Sequence, residues 1–220
     1  MTPLTLPEAF VLLLQKHNGS YYSTCDHTGA AELGELVLQH RVAFAGTKLQ
    51  LLDPTPTGIG WVDEALAQLQ HKAGPQNKPV AVTTFLQGRR GGRKRHCAAL
   101  AQRGLMRLET QSVLFFTQEK YFPHDPTRTA LVNDLHAIAR RQRQLDDRSA
   151  LLAALVHATG LVQRLGFDRA ERQRLKEISK GQDLGAAVEQ SIAAATAVIT
   201  TTAVVAAVTA IDHILRLPLS

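Results

Sequence analysis

Between residues 89 and 95 the chain reads Arg89-Arg90-Gly91-Gly92-Arg93-Lys94-Arg95, five cations around a pair of glycines. Guanidinium groups grip phosphate or carboxylate oxygens through forked hydrogen bonds. Glycine lets backbone amides approach such an anion closely. If Gly92 opens the helix that follows, the unpaired amides of its first turn add to the attraction. The chemistry on offer is therefore oxyanion binding. A solvated basic helix end is the competing reading, and the residues alone leave the two level.

Other reactive residue types lack the company that catalysis or metal binding needs. Cys25-Asp26-His27 and His96-Cys97 supply neither a nucleophile, base and orienting group nor a quartet of ligands. No catalytic residue, metal or cofactor is expected, and the chain is not expected to be an enzyme. Gly58-Ile59-Gly60 has no third glycine and reads as a turn. Trp61 reads as a core residue, and His157 as the maker of a structural hydrogen bond. Arg140, Arg141 and Arg143 read as a solvated face that adds to long-range attraction for anions.

The composition agrees with a polyanionic partner. The 220 residues carry 25 Lys+Arg against 19 Asp+Glu, a formal charge of +6, and the sequence pI is about 9.6. Either nucleic acid or an anionic membrane surface satisfies that excess. Two cysteines are too few for a disulfide framework. The opening residues lack the basic start and apolar core of a secretory leader, so the expected location is the cytoplasm.

The elements that must position the basic run are mostly helical. Thr5 with Glu8 has capping-box spacing, and Pro7 suits a first helical turn before Phe10-Val11-Leu12-Leu13-Leu14. Helices are expected at 30–39, near 61–70, near 80–87, up to Arg103, and at 127–143, 148–165, 168–180 and 184–215. Val42-Ala43-Phe44 and 48–52 around Gly46 form one expected hairpin. The strands 105–109 and 113–117 around Thr110-Gln111-Ser112 form a second. The uncharged stretch 192–211 is long enough to cross a bilayer, but its Ala, Thr and Val suit a buried helix with close neighbours better. The expected fold is mainly α, a single domain over 1–220. It is a helical bundle around a buried apolar C-terminal helix, with two short β-hairpins.

A resemblance to a known family rests on motifs that occur in order along the chain. They are Thr5-Leu6-Pro7-Glu8 with its Leu run, Glu35 through Val42, and Asp53-Pro54-Thr55-Pro56-Thr57-Gly58 followed by Asp63-Glu64-Ala65-Leu66. Arg93 through Leu105 and the segment from Leu151 to Ala158 complete the set. Together they resemble the Golgi phosphoprotein 3 family, which has bacterial members. The resemblance implies a mainly helical fold and, for eukaryotic members, binding of phosphatidylinositol 4-phosphate in a basic pocket. Two pocket arginines fall on Arg90 and Arg93, with Arg89, Lys94 and Arg95 as auxiliaries. The family's Trp and a further Arg fall on Ser20 and Gly29, and Tyr21 and Tyr22 stand close enough to replace that wall. Val113, Leu114, Phe115 and Phe116 match a hairpin that in relatives meets membrane or a neighbouring subunit, although alternate residues packing on the core explain them too.

The expected function is that of a peripheral membrane protein binding anionic phospholipid headgroups, phosphatidylinositol 4-phosphate or a bacterial anionic counterpart. The second hairpin is the expected contact for a homo-oligomer, and no protein client is legible. The alternative is a winged-helix-like nucleic-acid-binding protein, in which the same cations meet backbone phosphates. That alternative needs the cations on the exposed face of a recognition helix rather than around a concave pocket.

Overall fold

A computed structural model describes residues 3–23, 26–113 and 116–180. Among them are eight α-helices, a three-stranded sheet and a two-stranded sheet, so the fold is mainly α with the two hairpins expected.

Helix α1 (Leu6–Leu14) begins where the sequence signals it, with Glu8 reaching back to the Thr5 amide at 2.8 Å. All nine of its residues are buried, because its apolar side chains run around the whole circumference rather than along one stripe. Helices α2 (Thr28–Leu38), α5 (Gly92–Gln102), α6 (Asp125–Ala139) and α7 (Asp147–Ala158) surround it. The helix at the centre of the described residues is thus the first. The C-terminal helix expected over 184–215 lies outside the described residues.

α2 packs on α1 at Gly34, where a Cβ would stand 2.7 Å from Leu6 Cδ2. Leu6 is fully buried and cannot swing away into solvent. Gly34→Val is therefore expected to destabilise the protein by about 1–3 kcal/mol, read as a lower urea midpoint at an unchanged slope.

The remaining elements bracket the basic run. β1 (Val42–Ala45) and β2 (Lys48–Leu51) form the first expected hairpin, and β3 (Val80–Ala81) adds a third strand. Val80 and Ala81 were expected to be helical; they pair with Leu49 and Lys48 instead, and α4 (Val82–Gly88) follows. Between the hairpin and α3 (Gly60–Ala73), the proline-rich turn is held by Asp63. Its Oδ1 accepts from the Thr57 amide at 2.6 Å, and its Oδ2 from the Gly58 amide at 3.1 Å.

The second hairpin is longer than expected. β4 (Met106–Val113) pairs with β5 (Phe116–Pro123), and Thr110, Gln111 and Ser112 face Glu119, Gln118 and Thr117 across the ladder. The turn expected at those three residues is therefore strand, since the ladder runs on past them to the Val113–Phe116 pair. Val113 pairs with Phe116 at the far end of the described ladder. Leu114 and Phe115 lie outside the described residues.

After α6 the chain turns through Arg141 (φ 60°) into α7. α7 stops at Ala158, earlier than expected, because Gly160 takes a left-handed φ of 71° and a short 3-10 turn (Leu161–Gln163) follows. α8 (Arg169–Ile178) packs on α6 and α7. Its cap is the expected Asp168–Glu171 pair, with reciprocal bonds of 2.8 Å. Among the described residues no helix is long and apolar enough to cross a membrane.

Candidate oxyanion site

The five cations of the basic run meet different fates. Gly91 takes a left-handed φ of 77° as the N-cap, and Gly92 is the first residue of α5, as the anion-site reading requires. A Cβ on Gly92 would lie 3.3 Å from Glu32 Oε1 and 3.5 Å from Thr28 Cβ. The absence of a side chain lets the start of α5 close onto the start of α2.

Arg89 is not available as an auxiliary. Its side chain is 0% exposed against Glu32, itself 0% exposed. Arg89 Nε donates to Glu32 Oε2 at 2.5 Å and Nη2 to Oε1 at 3.2 Å. His96 Nε2 meets the same carboxylate at 2.8 Å, and Trp61 stands edge-on to the His96 ring at 5.2 Å. Arg95 also turns inward, donating to the carbonyls of Arg90 (3.2 Å) and Arg89 (3.5 Å). Two of the three expected auxiliaries, Arg89 and Arg95, therefore build the turn between α4 and α5. An arginine near a carboxylate in the interior neutralises it before any ligand arrives.

Arg93, Arg90 and Lys94 remain at the surface. The Arg93 guanidinium lies over the Tyr21 ring at 4.0 Å, and its Nη1 donates to the Ser23 carbonyl at 2.8 Å. Tyr21 thus stands beneath one of the cations. Arg90 is exposed, and Lys94 is exposed with Glu119 of β5 at 2.9 Å. The Arg93 amide, in the first turn of α5, donates to Asp26 Oδ2 at 3.2 Å, while Asp26 Oδ1 accepts from the Thr28 amide at 3.1 Å. One carboxylate therefore already stands at the positive end of α5.

Tyr22 is not part of this wall. It faces Lys16 and Arg128 instead. The residue at Gly29 is buried, and a Cβ there would lie 3.2 Å from Leu86 Cδ2 and 3.3 Å from Arg89 Cβ. This backbone leaves no room for an arginine at that position.

The reactive residue types stay inert. His96 points to Glu32, whereas Cys97 Sγ faces the Tyr21 hydroxyl at 3.7 Å, so the two neighbours do not form a dyad. Burial pushes the Cys97 thiol up to about 11, which leaves little thiolate at neutral pH. Among the described residues no group of three metal-ligating side chains could hold an ion. His157 has a buried Nδ1 with no partner, so the hydrogen bond expected of it is not made there. Arg140 and Arg143 are ion-paired to Glu171 (2.6 Å) and Asp134 (2.7 Å) rather than simply solvated.

Fold and site together define a mainly helical protein whose fifth helix presents a basic, aromatic-backed first turn. A family model described as Golgi phosphoprotein 3 (GPP34) matches residues 6–195. The chain belongs to that family. No curated protein matches it.

The acid partners of the cations are not marked by the basic run itself. Asp26 stands far from it in sequence, beside Cys25 and His27. Glu32 and Glu35 interrupt the apolar stripe of α2, and a carboxylate in such a stripe is the signal for a buried cationic partner.

Proposed function

We propose that this protein is a non-enzymatic, cytoplasmic, peripheral membrane protein that binds anionic phospholipid headgroups at the start of α5. The observation that carries the reading is the Arg93 guanidinium held flat on Tyr21 at 4.0 Å in the first turn of that helix. A stacked guanidinium loses little freedom when it binds a phosphate, and the helix end adds its dipole. Arg90 and Lys94 supply further positive charge at the surface. Family membership supports the same reading, with phosphatidylinositol 4-phosphate or a bacterial anionic lipid as the ligand. The hairpin end at Val113 to Phe116 is a second anchor or a contact for another copy.

The nucleic-acid alternative fares less well. α5 carries its cations only in the first turn, and beyond it His96, Cys97 and Leu100 are buried. The helix therefore has no basic face along its length to lay in a groove.

The test is co-sedimentation of wild type and an Arg90→Ala/Arg93→Ala double variant with neutral, generically anionic and phosphoinositide-bearing vesicles, beside a DNA shift assay. At about 1 kcal/mol per cation near an anionic surface, the double variant is expected to lose about thirtyfold in affinity. Preference for phosphoinositide vesicles means a shaped headgroup site, and equal binding to all anionic vesicles means charge attraction alone. No vesicle binding by wild type would overturn the proposal, and a DNA shift would then favour the alternative.

A further inference from the structure

A second cationic cluster lies apart from Arg90 and Arg93, where the end of α1 meets the start of α6. Arg128, in the first turn of α6, is only 8% exposed. Its Nη1 stands 3.5 Å from His17 Nε2, its Nε is buried without a partner, and its Cζ lies 6.0 Å from the Tyr22 ring centre. No described carboxylate lies within ion-pair distance of it. Asp125, the acid in the same turn, instead bonds His17 Nδ1 at 2.8 Å. Lys16 approaches the same Tyr22 ring, with Nζ 5.4 Å from its centre, and likewise has no described carboxylate partner.

The contrast with Arg89 is informative. Both side chains are deeply buried, but Arg89 has Glu32, whereas Arg128 has no carboxylate partner among the described residues. An uncompensated buried charge is costly, and interiors normally keep such a group only with a counter-charge. At Arg128 the positive end of a fifteen-residue helix further favours an anion. We propose that Arg128, Lys16 and Tyr22 form a second oxyanion site, separate from the α5 site, whose ligand is a phosphate dianion. Adjacent tyrosines then back two different sites, Tyr21 under Arg93 and Tyr22 beside Lys16 and Arg128. The inference does not depend on the headgroup reading of α5.

The phosphate can arrive free or as the monoester headgroup of a lipid, and the experiment separates the two. Thermal unfolding of the full chain is followed with inorganic phosphate at constant ionic strength, in wild type, Arg90→Ala/Arg93→Ala, Lys16→Gln and Arg128→Gln. At ten times its Kd, phosphate is expected to raise Tm by about 3 °C in wild type and equally in the Arg90/Arg93 variant. Lys16→Gln is expected to weaken phosphate at least fivefold, and Arg128→Gln to abolish the shift. In phosphate-free buffer Arg128→Gln is expected to melt no lower than wild type, since it removes an unpaired charge. Lys16 is only partly buried, so its variant keeps the test open if Arg128→Gln fails to fold. A second arm uses phosphatidylcholine vesicles with and without phosphatidic acid. Weaker sedimentation of Lys16→Gln on phosphatidic acid identifies the lipid source, and unchanged sedimentation with a phosphate-dependent Tm identifies the free ion. Absence of any phosphate shift in wild type, a shift that survives both Lys16→Gln and Arg128→Gln, or one lost only with Arg90 and Arg93 would each overturn the proposal.

Discussion

Arg89→Ala is expected to destabilise the protein by about 3–5 kcal/mol, a loss typical of breaking a buried ion pair. Glu32 sits fully inside the protein between α2, α3 and α5. Burial pushes its carboxyl up, and the hydrogen bonds from His96 and Arg89 more than cancel that push, so it is held below its ordinary value. Removing the guanidinium leaves a carboxylate in the interior with the His96 ring at 2.8 Å and the Arg95 guanidinium at 3.8 Å. Equilibrium unfolding in urea checks this through the midpoint, with an unchanged slope marking a true loss of stability. An Arg89→Met/Glu32→Leu double variant is expected to recover much of the loss, because it removes the orphaned charge together with its partner. A nearly neutral Arg89→Ala would mean that this side chain faces solvent and is free to join the oxyanion site. Vesicle binding by folded Arg89→Ala separates the two roles again, since a purely structural residue leaves it unchanged.

Acid is expected to unfold the protein in two stages of one sign. His27 and His157 are held below their ordinary 6.5 first of all by burial. Each favours the native state while neutral, and that contribution is lost as pH falls below about 6.5. Glu32, Glu35 and Glu171 lie below their ordinary 4.5. In all three, burial works upward and the hydrogen bonds of cationic and amide donors prevail. Their contribution is complete above pH 4.5 and disappears as pH drops through the lower folded values. Tm measured from pH 8 to pH 3 is therefore expected to decline gently below 6.5 and steeply below 4.5. Glu35 isolates one part of the steep stage. Its oxygens accept from the Leu6 amide at 2.6 Å and from Arg148 at 2.5 and 2.8 Å, tying α1, α2 and α7 together. Glu35→Gln is expected to cost about 2 kcal/mol at neutral pH and to flatten the profile below 4.5. A profile as steep as that of wild type would show that Glu35 is not one of the groups whose protonation unfolds the chain.

Much of this architecture was written locally. A helix such as α8 announces its start through Asp168 and Glu171, which satisfy each other's orphan donors without help from distant residues. The turn before α3 and the β1–β2 hairpin were legible for the same reason, since glycine, proline and short polar side chains act within a few positions. The basic run and its glycines likewise advertised an oxyanion site at the start of a helix, and the order of motifs along the chain pointed to the family.

Which cations stay available was decided only by folding. Arg89 and Arg90 are neighbours of one residue type, yet the first is sealed against Glu32, 57 positions away, and the second faces water. Tyr21 and Tyr22 look alike in sequence, yet the fold sets the first against Arg93 and the second against Lys16 and Arg128. Nothing local in the sequence marks Arg128 as buried. Its lack of a carboxylate partner among the described residues is a matter of the distant residues that pack around it. Local hydrogen bonding sets where elements begin and end, whereas charge pairing across 57 to 113 residues, as in Glu32–Arg89 and Glu35–Arg148, depends on tertiary packing alone.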